Sequence, residues 1–381
     1  MLKPKTLFLI IFFALAIKIF LLAFTAVNAP QSMFQNDSYD YLQTAETLAS
    51  RGIFAIQNQD GSYRYEIYRT PGYPLFLAFF HDLLKIPLWG ILLLQVILTL
   101  LTAFIVYRTA LIIDQRIAFL SAVIILFDFP VTFFSLVILA ETLFLFFTSL
   151  FLYGFVMYLK NGKIGLLISL AIILAAATYI RPISYYLGIA AAALIIYANT
   201  GKKIKRAVIH TLVFLVVLYS AIGAWHYRNY LHFKQPVFSS VASSDFSRFS
   251  IFGSYARNKQ AQENKELPVV YYIRSGAQCL MFLMTSPGTL KDLDSPALRV
   301  AGKISGYFWV ALWMLGFITG LMKIKYNIYY KSILLFIIYF AAISVAGVTF
   351  LVEERFRVPM MPFIAIISAY GWAWLLKLEN D

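Results

Sequence analysis

Residues 6–27 read TLFLIIFFALAIKIFLLAFTAV, and residues 36–74 read NDSYDYLQTAETLASRGIFAIQNQDGSYRYEIYRTPGYP. The contrast between these two stretches decides the fold. An apolar helix needs about 20 residues to cross a hydrocarbon core, where every backbone N–H and C=O must be satisfied within the segment. The first stretch meets that length, and only Lys18 interrupts it. It is longer than the apolar region of a signal peptide and no small-residue cleavage pattern follows it, so it reads as a retained anchor. The second stretch is the first sizeable polar island in the chain.

Working outward, similar apolar runs recur to the end of the sequence. They predict about ten spans, near residues 6–27, 88–110, 117–134, 141–159, 164–180, 183–199, 207–228, 304–322, 332–351 and 358–376. The composition agrees: 61% of the 381 residues are hydrophobic and 13% charged, with a mean hydropathy of +0.76. An ordinary soluble protein is only about 45–50% apolar. The expected fold class is therefore all-α, a polytopic transmembrane helical bundle forming one domain over 1–381, with short amphipathic helices in the first outer loop. That loop covers 28–84, and a second outer segment covers 229–303. The lone Cys279 excludes an intramolecular disulfide and a cysteine-rich metal site.

The net charge of +14 is mainly a topology signal. Lys3, Lys5, Arg108, Arg116, Lys160, Lys163, Lys202, Lys203, Lys205, Arg206, Lys323, Lys325, Lys331 and Lys377 all fall on one side of the predicted bundle, which makes that side cytoplasmic and places both termini on it. No concentrated basic stripe is left over for nucleic acid, and no nucleic-acid partner is expected.

Charged groups at a membrane boundary are costly and mark a cavity or one another. Asp37, Arg69, Glu141, Arg181, Arg228, Asn229, Glu353, Glu354, Arg355 and Arg357 all fall at the outer ends of predicted spans, although the topology was set by other residues. Structural readings stand beside the functional ones. Residues 38–51 pattern as an amphipathic helix with Tyr41, Ala45, Leu48 and Ala49 on one face and Gly52 after its end, so Asp37 could be its N-cap. Asp40, one turn along, reads as solvated. Glu141 sits where a helix N-terminus welcomes a carboxylate. Arg69 could snorkel to headgroups, and Arg181 with residues 354–357 could form one salt-bridge network. His81, His210, His226 and His232 show no zinc-type spacing, and neither a phosphate-cradling glycine loop nor a Ser-His-Asp arrangement is present.

Asp37, Tyr41, Ala45, Leu48 and Gly52, followed by Arg69-Thr70-Pro71-Gly72-Tyr73-Pro74, resemble the first outer loop of GT-C-fold transferases that use polyprenyl-phosphate sugars. The likeness is to the bacterial branch related to protein O-mannosyltransferases and lipid A aminoarabinose transferases. Ala140-Glu141-Thr142-Leu143, Trp225-His226-Tyr227-Arg228-Asn229-Tyr230 and Glu354-Arg355-Phe356-Arg357-Val358-Pro359 are similar to later features of that branch. The sequence is shorter than the larger members and shows no soluble region after the last span, so the acceptor is the least transferable property.

The resemblance implies a membrane glycosyltransferase that moves a sugar from a polyprenyl-phosphate donor to an envelope acceptor (lipid, glycan or protein). The site would face outward from the plasma membrane, a bacterial inner membrane, with membrane lipid as the remaining partner. Asp37 would be the general base on the acceptor. Arg69, Arg181, Arg228, Arg355 and Arg357 would be ligands for the donor phosphate, and Glu141 and Glu354 a second acidic site. No cofactor is certain, no metal ligand is assigned, and a divalent metal at Glu141 stays open. Transport or lipid flipping, and scaffolding in an envelope complex, are the competing readings. Transporters place their binding groups near the bilayer midplane, often with internal repeats.

Overall fold

The computed structural model describes residues 4–200, 204–241, 267–287, 296–325, 327–348 and 353–378. The polar stretches 242–266 and 288–295 of the second outer segment, and 349–351 at the end of the ninth expected span, lie outside the described residues.

Helix α1 covers Pro4–Asn28. The polar island then folds as α2, Asn36–Arg51, and a short antiparallel hairpin, β1 Ala55–Gln57 and β2 Tyr63–Tyr65, with Ala55 opposite Tyr65. Gly61, at φ +83°, turns the hairpin. This hairpin is a small departure from the all-helical expectation, and its signal was the Asp60-Gly61 pair between β-prone residues. Next come α3, Gly72–Leu77, and α4, Leu88–Ile113.

The expected span at 117–134 is not one helix. It divides into α5, Ala118–Phe127, and α6, Phe129–Phe134. Asp128 separates them, and its carboxylate accepts the Val131 N–H at 3.1 Å as the N-cap of α6. Pro130 then occupies the first turn, where its missing N–H is harmless.

Helices α7 Glu141–Asn161, α8 Ile164–Ile180 and α9 Leu187–Asn199 follow as expected within a few residues. Helix α10, Ile204–Phe233, continues past the predicted boundary, so the outer segment begins as helix. It also contains an amphipathic helix, α11, Pro268–Thr285. Helices α12 Pro296–Lys323, α13 Ile328–Val348 and α14 Met361–Leu375 close the bundle, with two 3₁₀ turns, Glu354–Phe356 and Val358–Met360, leading into α14.

Among the described residues, eight helices are long and apolar enough to cross a membrane, two fewer than the ten expected spans; Gln115–Phe127 and Ile164–Ile180 are apolar but shorter. The periphery is apolar: Phe8, Phe12, Ile172, Val216, Phe308 and Met322 are all exposed. Such a girdle suits hydrocarbon, since a water-facing bundle would place charge there. Helix α14 is buried nearly all round. It meets α12 at glycines, and a Cβ on Gly371 would run into the Gly316 carbonyl and the Gly320 nitrogen. Small residues at such a seam let two backbones touch.

Lys18, fully buried, donates to Thr132 Oγ1 at 2.7 Å and lies within electrostatic reach of Asp128. The break between α5 and α6 thus supplies a carboxylate and a hydroxyl to the one cation of α1's apolar run.

Candidate active site

The N-terminal end of α2 is fixed before any charge is considered. Gln35 is the N-cap residue. Ser38 Oγ accepts the Gln35 N–H at 2.9 Å and donates to the Ile138 carbonyl at 2.8 Å, while the Ile138 N–H donates to the Met33 carbonyl at 2.9 Å. These bonds seat α2 on the segment that runs into α7. Asp37 is therefore not the cap that the sequence left open. It lies in the first helical turn, with both carboxylate oxygens turned outward from the helix.

Each oxygen meets a guanidinium. Asp37 Oδ1 accepts from Arg69 Nη2 at 2.8 Å, and Oδ2 accepts from Arg355 Nη1 at 3.2 Å. Arg69 and Arg355 thus approach from opposite ends of the sequence. Asp40, three residues on and so on the same helix face, accepts from Arg69 Nη2 at 2.9 Å and Nε at 3.3 Å. Arg355 Nε lies 3.2 Å from Glu353 Oε2 as a charge contact, the N–H pointing aside. Beside this group, Arg181 Nη1 donates to Glu141 Oε1 at 2.6 Å. The Phe356 ring faces both Arg355 and Arg181, at 5.2 and 5.7 Å.

Local structure explains why Arg69 arrives there. Glu66 Oε1 accepts the backbone N–H groups of Tyr68 and Arg69, curling the chain out of the hairpin. Thr70 Oγ1 donates to the Ile180 carbonyl at 3.0 Å. At Gly72 a Cβ would lie 2.7 Å from the backbone of Tyr179 and Ile180, so the turn rests directly on the end of α8. Below it the Tyr41 and Tyr73 rings pack edge to face at 5.0 Å. Tyr73 donates to Gln95 Oε1 at 2.7 Å, and Gln95 Nε2 to the Val137 carbonyl at 2.7 Å. The Arg69 guanidinium rests over the rings of Tyr41 and Tyr68.

The electrostatics follow from this packing. Burial alone would raise the Asp37 carboxyl, but Arg69 and Arg355, with Arg181 behind them, outweigh it and hold Asp37 below the usual carboxylate range. Asp37 is anionic at neutral pH. Burial pushes the Tyr41 phenol up to about 12, so Tyr41 stays neutral.

The structure divides the arginines expected at a donor phosphate. Arg69, Arg181 and Arg355 converge on the cluster. Arg228 instead donates to the carbonyls of Glu66 at 2.7 Å and Phe54 at 2.9 Å and is enclosed by the rings of Phe54, Tyr65, Trp225 and Phe233. It clamps the hairpin onto α10. Arg357, wholly buried, donates to the carbonyls of Leu283, Met284 and Ser286 and so terminates α11. Glu354 accepts from Ser286 Oγ at 3.3 Å in the same buried corner. Glu141 joins the cluster through Arg181.

Asp40 and Glu353 are the groups that sequence reasoning undervalued. Asp40's spacing of three from Asp37 was the available signal. Both Asp37 oxygens and Glu141 Oε1 face guanidinium N–H groups. Among the described residues, no three His, Cys, Asp or Glu side chains group together as ligands.

The apo oligosaccharyltransferase of Archaeoglobus fulgidus superposes on 98% of the chain with a TM-score of 0.63 at 12% identity. ArnT from Cupriavidus metallidurans bound to undecaprenyl phosphate superposes on 97%, with a TM-score of 0.58 at 11% identity. The chain has a GT-C fold. It covers 51% and 60% of those two proteins, so it spans only part of their length. A third match, the archaeal oligosaccharyltransferase AglB from A. fulgidus in complex with an inhibitory peptide and a dolichol-phosphate, covers 96% of the chain and 50% of that protein, with a TM-score of 0.59 at 13% identity. Residues 68–225 match the family model described as dolichyl-phosphate-mannose-protein mannosyltransferase. That stretch takes in Arg69, Glu141 and Arg181. A comparison with curated proteins gives no match. With this fold and its apolar helices, the chain is a multi-pass membrane protein.

Proposed function

We propose that this GT-C protein is a membrane glycosyltransferase that moves a sugar from a polyprenyl-phosphate carrier to an acceptor hydroxyl or amine. The observation that carries the reading is Asp37, an anionic carboxylate held between Arg69 and Arg355 at 2.8 and 3.2 Å. A base and two phosphate-binding cations are thereby within one contact of each other. The family model over 68–225 and the lipid phosphates named for two of the structural relatives support the donor class.

The chemistry follows from the roles. The acceptor oxygen or nitrogen attacks the anomeric carbon and gives its proton to Asp37. The bond from the anomeric carbon to the phosphate oxygen breaks, and its electron pair leaves with the polyprenyl phosphate. Arg69 and Arg355 stabilise the negative charge that grows on that phosphate. Arg181, held by Glu141, faces the same Phe356 ring as Arg355. One displacement of this kind inverts the anomeric centre. The lysine and arginine distribution supports cytoplasmic termini and an outward-facing site, where a lipid-carried donor supplies what nucleotide sugars cannot. On this reading residues 28–84 carry the base, and the chain works as one transmembrane domain on an envelope acceptor.

The test incubates purified protein with a panel of polyprenyl-phosphate sugars and envelope acceptors. Wild type should transfer, and Asp37→Asn should lose about 10²- to 10⁴-fold in turnover. Full transfer by Asp37→Asn removes the base from the mechanism. Donor-independent solute movement in proteoliposomes would point to transport instead.

A further inference from the structure

Resting on that reading, we propose that the donor phosphate takes Asp37's place on Arg69 and Arg355, so that donor binding itself releases the base, while Asp40 and Glu353 keep the two arginines in position during the exchange. A carboxylate with both oxygens against guanidinium groups is badly placed to accept a proton. Its lone pairs are directed at Arg69 Nη2 and Arg355 Nη1, and a base works best when its affinity for a proton matches the medium.

Phosphate oxygens bind the same N–H groups and do so bidentately. A phosphate entering the cluster therefore competes with Asp37 for both arginines at once. The arginines differ in what else holds them. Arg69 keeps Asp40 through Nη2 and Nε, and the Tyr41 and Tyr68 rings under its guanidinium plane. Arg355 keeps Glu353 beside Nε and the Phe356 ring. Neither falls out of place when Asp37 lets go. Arg181 has no such spare capacity in its short bond to Glu141, whose side chain is 3% exposed against 43% for Asp40 and 49% for Glu353. The two retaining carboxylates thus lie on the wetter side of the cluster, and Asp37, at 26%, between them and the protein interior. Once freed of its cations, Asp37 is left with its burial, which favours the protonated form and makes it the stronger base.

Undecaprenyl phosphate in detergent is the probe, with undecaprenol as the phosphate-free control. Its affinity is measured for wild type, Asp37→Asn, Asp37→Ser, Asp40→Asn and the double variant Arg69→Ala/Arg355→Ala. Thermal unfolding of each variant confirms that it is folded. Exchange predicts that both Asp37 variants bind the lipid phosphate about tenfold more tightly than wild type, a change of about 1.4 kcal/mol, while losing transfer. Asp40→Asn should gain distinctly less, because Asp40 touches one arginine where Asp37 touches two. The double arginine variant should bind no better than it binds undecaprenol. Equal gains in the Asp37 and Asp40 variants would show a bulk charge effect and overturn the exchange, as would unchanged or weaker binding in both Asp37 variants. If wild type fails to prefer the phosphate over undecaprenol, the donor reading itself falls and the exchange with it.

Discussion

Replacing Arg69 by alanine should uncouple the stability of the protein from the charge of Asp37. In the wild type Arg69 donates to Asp37 at 2.8 Å and to Asp40 at 2.9 Å and covers two tyrosine rings. A charge-assisted hydrogen bond to a largely buried carboxylate is worth about 1.5–3 kcal/mol. The half-exposed Asp40 contact adds less than about 1 kcal/mol because water screens it, and the ring contacts add about 0.5–1 kcal/mol each. The expected loss at neutral pH is about 3 kcal/mol. The sign of its pH dependence follows from Asp37. Its folded carboxyl is held below the usual range, so its contribution is fully present above the ordinary carboxylate pKa of about 3.9 and is lost as pH falls through the lower folded value. Without Arg69, burial is opposed by Arg355 and Arg181 only, and the carboxyl rises. Thermal unfolding in detergent at pH 7 and near pH 3 reads the difference: a gap of several degrees at neutral pH that narrows in acid. An equal gap at both pH values would refute the assignment of the depressed carboxyl to Arg69.

Three further outcomes are expected. Gly371→Leu should lower the unfolding temperature by an amount equivalent to about 3 kcal/mol or more, since the added side chain meets the Gly316 and Gly320 backbone; unchanged unfolding would mean that α12 and α14 separate freely. Arg228→Lys should destabilise by about 1–2 kcal/mol, because an ammonium cannot reproduce the fork that reaches the Glu66 and Phe54 carbonyls together. In steady-state kinetics its KM for the donor should stay at the wild-type value, and a raised KM would return Arg228 to the phosphate site. Asp128→Ala should cost about 1 kcal/mol for the lost α6 cap, plus the loss of a counter-charge for Lys18. Adding Lys18→Met should recover part of that loss in a double-mutant cycle, and strict additivity of the two effects would count against their coupling.

Much of this architecture was legible because membrane spans are written in a coarse alphabet. Apolar length alone located α4, α7 and α8 to within a few residues. The places where sequence reading failed are those where a short-range polar bond overrules a hydrophobic run. Asp128-Phe129-Pro130 looks like a minor interruption of 117–134, yet one carboxylate bonding the Val131 N–H divides the span. Within the site, Asp37, Arg69, Arg181 and Arg355 share a side of the membrane, and that much could be read from topology. Which arginine faces a carboxylate and which faces carbonyls could not, because Arg228 and Arg357 are claimed by the hairpin and by the end of α11, whose positions depend on tertiary packing. Asp40 was read as solvated because its exposure is real; its bond to Arg69 requires knowing where residue 69 returns.

The close seat of Gly72 on Tyr179 and Ile180 has a mechanical consequence. Arg69 lies three residues before that contact and Arg181 one residue after it, so two of the three converging guanidinium groups are mounted on a single junction of backbone against backbone. They form a fixed jaw whose spacing is set by van der Waals contact. Arg355 rides on a separate stretch of chain, inside the 3₁₀ turn Glu354–Phe356, and is the opposing jaw. A ligand that enters between them can be accommodated by adjusting the Arg355 side alone, and tolerance for different headgroup sizes should therefore be written in residues 353–360 and not in the loop that carries Asp37.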